Sequence, residues 1–549
     1  MFKGHPKGLY VAFFANMGER FGFYTMMGIL VFYLTAKFGL TESNAGLIYS
    51  IFYGSIYGLA LLGGVLADRT KNYKGVINIG LITMLGGYVL MSVPGFGLVF
   101  TIIALGVIAF GNGLFKGNLQ AVVGQLYDDP RYSHMRDSAF SVFYMGINVG
   151  ALFAPSAAAG VINWFIKSKG FTRDDALPAL IHKFKDGAIT ATETADLQAL
   201  ADKVSGTTVT DLSTFATDYL AAYGDGFNYA FGLAGITMII SLVVYTIFKR
   251  MLPDVKKAEE TADGKVVEMS KEETKQRLTA LFLVFGVVIF FWMAFHQNGL
   301  TMSFFARDYT VTEVGAATYL VFNIWSLLAI VIGILSLNTI FKSDAAAKSK
   351  LIATVVFIIS AGATWYFYNN NPEVNAFSPE LFQHFNPTMI VLLTPIIVGL
   401  FTWLNKRGKE PSAPRKIGIG MIITSFGFLI LLVGSLGLDP FDVMQSDPGH
   451  ARVGTGWLIG TYFTLTIAEL FLSPMGLSFV SKVSPPKYQG LMQGGWLGAT
   501  ALGNLLLGVG SYLYERVEIW MVWAIFIVLC FIAAGFIFSI MKKLERVSG

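Results

Sequence analysis

The chain has 549 residues, of which 54% are hydrophobic and only 14% are charged. Soluble domains carry about 25% charged residues, so this composition excludes a soluble protein and indicates one that crosses a membrane many times. The single cysteine, Cys530, excludes a disulfide framework and a cysteine metal cluster. The net charge of +5 says little by itself, because in membrane proteins the placement of Lys and Arg matters more than their sum.

Apolar stretches long enough to cross a bilayer recur along the whole chain. A spanning helix needs about 20 mostly apolar residues, and by this measure we predict about fourteen spans. The residues before the first span are too few and too polar for a cleavable signal, so we expect that span to be retained. The predicted spans are 9–36, 45–68, 75–94, 98–125, 138–165, 226–248, 278–304, 313–341, 350–369, 380–404, 417–437, 455–480, 490–514 and 518–541.

Two polar stretches divide this series of spans. Residues 249–277 are the most charged part of the chain and read as a linker between two halves, whereas the spacing in residues 167–225 suggests short amphipathic helices in water. We therefore predict an N-terminal six-helix bundle over residues 1–248, a cytoplasmic linker over 249–277 and a C-terminal six-helix bundle over 278–549. An extra helix pair falls at about 313–369.

Basic residues concentrate in every second loop, and loops such as 95–98 and 370–379 lack them. The positive-inside rule then places both termini and the linker in the cytoplasm. The alternation indicates an even number of spans, although two spans missed or added together would preserve it. The basic residues are Arg69, Lys71, Lys74, Arg131, Arg136, Lys342, Lys348, Lys350, Lys406, Arg407, Lys409, Arg415, Lys416, Lys542, Lys543 and Arg546.

Several predicted spans contain ionisable residues: Glu19, Arg20, Lys116, His296 and Glu469. A charge in the middle of a membrane costs roughly 2.5–3.5 kcal/mol on insertion scales unless it faces a polar interior. Charges of both signs at this depth predict a polar cavity, which is typical of a transporter for a charged solute. Buried structural ion pairs are the alternative.

Local motifs resemble known transporter signatures. Residues 63–69 (GGVLADR) resemble the loop signature of the major facilitator superfamily, in which Asp68 and Arg69 would act as a charged latch at a helix end; a simple helix stop is the alternative. Residues 19–24 (ERFGFY) resemble the ExxERFxYY signature of proton-coupled oligopeptide transporters, and 143–151 (FYMGINVGA) resemble their FYxxINxG stretch. Further matches in chain order are 111–118, 291–297, 383–387, 469–482, 490–492 and Trp496.

These matches cover nearly the whole chain, which is identified as a member of the proton-coupled oligopeptide transporter (POT/PTR) family, bacterial type. The resemblance implies an all-α polytopic protein with the major facilitator fold: two six-helix bundles, two extra helices and a site near the bilayer midplane. It implies import of di- and tripeptides by alternating access, driven by a proton gradient without a cofactor.

The implied partners are small peptides, protons and the lipid bilayer, with no nucleic acid, and the implied location is the inner (cytoplasmic) membrane. The oligomeric state stays open. A transporter of another anionic or zwitterionic solute, such as nitrate or an amino-acid derivative, is the first alternative. A membrane sensor or enzyme is the second, although the sequence has no metal-ligand cluster, no Walker loop and no Gly-x-Ser-x-Gly motif.

A peptide zwitterion offers a carboxylate, an ammonium and an amide, and the resemblance assigns residues to each. Arg20 and Lys116 suit the carboxylate, as a bidentate fork and a point charge, and Glu469 suits the ammonium. The other expected substrate contacts are Tyr24, Tyr57, Asn148, Asn386, Trp292 and Trp496. Packing between helices is the alternative for a single Asn or Tyr.

The chain departs from the family at two positions linked to proton handling. The first Glu of ExxER is Asn16 here, for which we expect a gating or structural role, and His296 stands where the family has an acidic residue after the Trp of the seventh span. Glutamate titrates near pH 4.3 in water and His at about 6.5, with the opposite change of charge. Expected proton-coupling residues are Glu19, His296 and Glu469, with helix packing as the alternative for His296.

Overall fold

The structure is a computed structural model, and it describes residues 4–253, 269–343, 345–446, 449–485 and 488–548. Most of them are helical. The predicted linker 249–277 falls largely on residues 254–268, outside the described residues, so the domain boundaries there stay predictions.

The N-terminal half contains six long helices and two short ones. Capping side chains set the starts of two of them. Thr41 caps the second helix, and Thr190 with Glu193 forms a capping box on the seventh. The helices are α1 (Gly8–Phe38), α2 (Glu42–Thr70), α3 (Tyr73–Ser92), α4 (Leu98–Gln125), α5 (Arg136–Ser168), α6 (Leu177–Lys185), α7 (Ala191–Ser205) and α8 (Leu212–Phe248), with 3-10 turns at Ser133–Met135 and Lys249–Met251.

The C-terminal half is more broken than the N-terminal half. Its helices are α9 (Lys271–Phe295), α10 (Thr301–Asp308), α11 (Ala316–Tyr319), α12 (Ile324–Phe341), α13 (Ala347–Asn370), α14 (Phe385–Lys406), α15 (Ala413–Gly434), α16 (Phe441–Ser446), α17 (Gly456–Val483), α18 (Gln489–Leu505), α19 (Gly508–Tyr514), α20 (Ile519–Ser539) and α21 (Met541–Ser548). Two 3-10 helices lie at His296–Gly299 and Pro379–His384, and β1 (Glu313–Val314) pairs antiparallel with β2 (Asn375–Ala376).

Fourteen of the described helical segments are long and apolar enough to cross a membrane, which confirms the predicted all-α polytopic fold. Two predicted boundaries are wrong. The sixth span begins at Leu212 rather than 226, because Asp211 caps α8 and the aromatic rings of Phe215, Tyr219 and Tyr223 pack along its first turns. The eighth begins at Ile324 rather than 313, because β1 and α11 precede it.

The helices form two bundles with an extra pair beside them. In the first bundle α1 packs against α5 and α8, and α4 packs against α2 and α3; in the second, α15 packs against α17 and α20, and α9 against α18. The bundles meet where α2 contacts α18 and α19 and where α5 contacts α14. In the most apolar 18 residues of α1, 72% of the residues are buried, whereas only 11% are buried in the corresponding part of α13. The α12–α13 pair therefore lies at the periphery of the protein.

Close helix crossings depend on small residues, as is usual in membrane bundles. A Cβ atom added to Gly63 on α2 would clash with the carbonyl oxygen of Gly113 on α4, and one added to Gly80 on α3 would lie 2.7 Å from the carbonyl oxygen of Gly111. α4 therefore lies directly against α2 and α3 and carries its polar residues into the bundle.

Polar contacts join the two halves at one end of the molecule. We call the end that carries residues 169–211 and 309–323 the outer end, and the opposite end, where both described chain termini lie, the inner end. At the outer end Arg307 of the C-terminal half bonds Glu42 of α2 at 2.7 Å, and the Ser43 amide donates to Glu515 at 2.6 Å. These contacts join the two halves at the outer end.

Candidate functional site

The predicted charged residues of the N-terminal half gather around α1. Arg20 donates twice to its neighbour Glu19, from Nε to Oε2 and from Nη2 to Oε1, each at 2.6 Å. Asn112 of α4 donates to the same Glu19 at 2.7 Å. Both Glu19 and Arg20 are buried. Arg20 thus already has a carboxylate partner, and a substrate carboxylate would have to compete with it or share the guanidinium.

Lys116 lies one helical turn after Asn112 on the same face of α4. Its ammonium is 3.8 Å from the centroid of the Tyr57 ring, a cation–π contact between α4 and α2. Lys116, Tyr57 and Tyr24 are only half-buried. Part of the Lys116 side chain therefore stays accessible beside the two tyrosines.

Glu469 supplies the opposite charge from the C-terminal half. Asn386 of α14 donates one amide to Glu469 at 3.0 Å and to the Thr466 hydroxyl at 3.1 Å. The Tyr144 hydroxyl of α5 also interacts with Glu469, although the Tyr144 side chain is 42% exposed. Tyr144 therefore lines an accessible space next to a buried carboxylate.

Arg20 of the N-terminal half and Glu469 of the C-terminal half face the same region. Tyr24 lies close enough to both Arg20 and Glu469 for their charges to act on its hydroxyl. The cations belong to one bundle and the carboxylate to the other, so a ligand carrying both charges would contact both bundles.

The remaining predicted residues of the N-terminal half and Trp496 are less involved in this arrangement. Asn148 is buried and donates to the carbonyl of Tyr144, one turn earlier in its own helix. The Nδ2 atom of Asn16 is buried without a hydrogen-bond partner in the part of the chain that the structure describes. Trp496 is buried against Gly476 of α17, where it packs two helices of the same half.

His296 lies where α9 gives way to the 3-10 helix His296–Gly299. Its ring stacks on Trp292, with the ring centroids 4.7 Å apart. Nδ1 lies 2.6 Å from Asn504 Oδ1 on α18, and Nε2 lies 3.2 Å from the Tyr53 hydroxyl on α2. His296 thus contacts both halves.

Asp68 and Arg69 lie apart from this region, at the inner end of α2. Both are exposed, and Asp68 accepts a hydrogen bond from Tyr73 at the start of α3. An apolar groove between α12 and α13 differs from this region in its chemistry, because no charged side chain lines it.

Sequence reasoning missed Tyr144, which contacts Glu469, and three further polar residues of the site. Asn112 precedes Lys116 by four residues, Tyr53 precedes Tyr57 by four, and Asn504 follows Trp496 by eight. These spacings place each on the same helical face as a residue that the motifs identified, and this signal would have found them.

Comparisons with known proteins agree with the fold and with the motifs. A family model described as "POT family" matches residues 73–173 and 349–525. The dipeptide and tripeptide permease A of Klebsiella pneumoniae (strain 342) is 27% identical over 527 residues, covering 92% of this chain and 83% of the relative. The protein of the same name from Salmonella typhimurium (strain LT2) is 26% identical with the same coverage.

Solved structures show the same fold at lower sequence identity. A POT family transporter in complex with 5-aminolevulinic acid superposes with a TM-score of 0.67 at 20% identity, over 100% of this chain and 98% of the other. The peptide transporter POT in complex with sulfate gives 0.65 at 22% identity, over 100% and 97%.

Proposed function

The chain belongs to the POT family, which is a family of membrane transporters, and we propose that it imports di- and tripeptides together with protons by alternating access. The proposal rests on the placement of three charged side chains. Arg20 and Lys116 of one bundle and Glu469 of the other present opposite charges to a common region. A short peptide zwitterion carries a carboxylate and an ammonium a few ångströms apart, and it would bridge these charges.

The curated relatives support this substrate class, since their names give dipeptides and tripeptides. In this proposal Arg20 and Lys116 bind the carboxylate, Glu469 binds the ammonium, and Asn148, Asn386, Tyr24 and Tyr57 contact the peptide backbone. Trp292 and Trp496 line the site. Glu19, His296 and Glu469 handle protons, and Asp68 with Arg69 acts as a latch during the conformational cycle.

The proposed cycle uses the contacts at the outer end. The ion pair between Glu42 and Arg307 joins the two bundles, so outward opening must break it while the bundles rock about the central site. We propose that the inner end faces the cytoplasm of the inner membrane. The proton gradient is the energy source in this proposal, without a cofactor and without a catalytic step.

A second substrate class has its own support. A POT family transporter of known structure is bound to 5-aminolevulinic acid, which is an amino-acid derivative with an ammonium and a carboxylate but no peptide bond. The same pair of opposite charges would accept it. A peptide differs by its backbone amide, which the Asn side chains would bond.

Uptake into proteoliposomes tests the proposal directly. The purified full chain is reconstituted and given either radiolabelled dialanine or radiolabelled 5-aminolevulinic acid, with and without an inward proton gradient. Excess unlabelled 5-aminolevulinic acid or nitrate serves as competitor of dialanine uptake. We expect gradient-dependent accumulation that unlabelled dipeptide abolishes. Accumulation of labelled 5-aminolevulinic acid but not of dialanine would replace the peptide by the second class, and accumulation of neither would contradict the proposal.

A further inference from the structure

The two ring nitrogens of His296 contact different halves of the protein. Nδ1 is 2.6 Å from Asn504 Oδ1, within the C-terminal half. Nε2 is 3.2 Å from the Tyr53 hydroxyl, in the N-terminal half. The ring is buried between Trp292 and Tyr53, with centroid distances of 4.7 Å to each.

The partners determine which nitrogen carries the proton in the neutral ring. Asn504 presents its amide oxygen to the ring, and because this oxygen only accepts hydrogen bonds, Nδ1 carries the proton in this arrangement. Nε2 then holds the lone pair and accepts the hydrogen bond from the Tyr53 hydroxyl. The basic atom of His296 therefore points across the interface between the two bundles.

Tyr53 continues this contact toward the proposed carboxylate site. The Tyr57 ring lies one turn further along α2, 5.8 Å from the Tyr53 ring, and it carries the Lys116 ammonium 3.8 Å above it. Lys116 is also the charged group that acts on His296 from the neighbouring helices in the described part of the chain. Two tyrosines thus connect His296 to Lys116.

The bundles touch at the level of Tyr53. The next residue, Gly54, packs so tightly against α18 that an added Cβ atom would lie 2.6 Å from Leu505. Leu505 directly follows Asn504. Because α2 belongs to one bundle and both α9 and α18 to the other, rocking of the bundles would change the distance between Tyr53 and His296.

We propose that Tyr53 transmits the protonation state of His296 to the N-terminal half, an inference that rests on the proposed proton-coupled transport. A solvent proton that binds Nε2 turns this nitrogen from an acceptor into a donor, while the bond from Nδ1 to Asn504 is unchanged. The Tyr53 oxygen must then accept, and its own hydrogen must turn away, toward Tyr57. Release of the proton on the other side of the membrane restores the first arrangement.

Asn504 is a positioning residue in this scheme, because it fixes the tautomer that presents the lone pair to Tyr53. Tyr49 offers a matched control on the same helix. It lies one turn before Tyr53, with ring centroids 5.9 Å apart, and its buried hydroxyl lies against Gly299.

The experiment compares wild type, Tyr53→Phe, Tyr49→Phe, His296→Gln and the double variant Tyr53→Phe/His296→Gln in proteoliposomes. Dipeptide accumulation is measured at external pH values from about 5.5 to 8, a range that brackets the titration of His, and counterflow exchange at one pH checks that each variant is folded. We expect Tyr53→Phe to lower the gradient-driven accumulation on the order of tenfold, the effect of losing a hydrogen bond to a charged group, and to flatten its pH dependence. Tyr49→Phe should keep the wild-type profile.

The double variant distinguishes a shared route from two independent effects. If Tyr53 acts through His296, the double variant loses no more than the more affected single variant. Losses that multiply, a wild-type pH profile in Tyr53→Phe, or an equal loss in Tyr49→Phe would each overturn the proposal. Wild-type protein that accumulates no dipeptide at any pH would instead contradict the proposed function itself, and the inference with it.

A spectroscopic measurement tests the geometry without transport. The chain has six histidines, and ¹⁵N chemical shifts of labelled histidine distinguish the two neutral tautomers; the His296→Gln variant assigns the signals of His296. We expect a protonated Nδ1 and a hydrogen-bonded, unprotonated Nε2, whose signal moves in Tyr53→Phe and stays in Tyr49→Phe. A protonated Nε2 in the neutral wild-type ring would overturn the proposal.

Discussion

Arg173 and Glu380 form a bidentate ion pair between the two halves of the protein. Arg173 Nη1 lies 2.7 Å from Glu380 Oε1 and Nη2 lies 3.0 Å from Oε2. The side chains are only 6% and 0% exposed, and Arg173 Nε also donates to Asp175 at 2.7 Å. Arg173 follows α5 and Glu380 precedes α14, so the pair ties the outer polar segment to the other bundle.

Removing one partner of this buried pair should favour outward opening. Breaking such a pair costs about 3–5 kcal/mol, because the remaining charge is left uncompensated. In the Glu380→Gln variant we expect spin labels at the exposed Lys185 and Val443 to show a larger population of long distances by electron-paramagnetic-resonance spectroscopy. Substitution of Arg131, which pairs with Asp129 at an exposed site near the inner end, serves as the control. Identical distance distributions for Glu380→Gln and wild type would show that the pair does not hold the outer end closed.

Loss of Lys116 or Arg20 should weaken binding of the peptide carboxylate. Removing a charge-assisted contact costs on the order of 1.5–3 kcal/mol, or roughly ten- to a hundredfold in affinity. Because Arg20 pairs with Glu19, Arg20→Ala is best combined with Glu19→Gln, which removes the orphaned charge. Calorimetric titration of the variants with dialanine should show this loss, whereas dialanine amide, which lacks the carboxylate, should bind as weakly to wild type as to the variants. Near-normal dialanine binding by folded Arg20→Ala would contradict the role of Arg20.

Glu469→Gln should affect the peptide amino terminus selectively. The glutamine oxygen can still accept the hydrogen bond from Asn386, so the local packing is preserved while the negative charge is lost. We expect competition assays to show a loss for free dipeptides that is at least about tenfold larger than for N-acetylated dipeptides. Equal losses for both ligand types would place Glu469 away from the ammonium.

The sequence reveals the charged residues of the site but not which side chains they contact. Hydropathy alone locates the fourteen spans, because each needs a long apolar stretch whatever its neighbours are. The pairing of His296 with Asn504 and Tyr53 depends on how α2, α9 and α18 pack, and no local pattern encodes that packing. The start of α8 at Leu212 was missed for a related reason: its polar first turns read as a loop, although aromatic residues pack along them in the folded protein.

The outer polar segment should lose structure in acid. The Lys183 ammonium and the Thr190 backbone lower the pKa of Glu193 from 4.5 to about 2. A carboxyl whose folded pKa is lowered stabilises the fold above its unfolded pKa, and this contribution is lost as pH falls from about 4.5 to about 2. Hydrogen exchange in α7, corrected for the intrinsic rate, should therefore be faster at about pH 3 than at about pH 6. Glu193→Gln should exchange faster than wild type at the higher pH, and equal rates would show that this contact does not stabilise the segment.

His296→Gln should separate proton coupling from substrate exchange. Glutamine can donate to Asn504 and bond Tyr53, but it carries no proton between pH 5 and 8. We expect the variant to lose accumulation driven by a pH gradient and to retain counterflow exchange, because exchange of internal for external peptide needs no net proton movement. Both rates are measured in the same proteoliposome preparation, so a folding defect would lower them together. Accumulation at the wild-type level would make His296 a structural residue, and Glu19 would become the leading candidate. Glu19 contacts Arg20 directly, so its protonation would release the guanidinium for the substrate carboxylate.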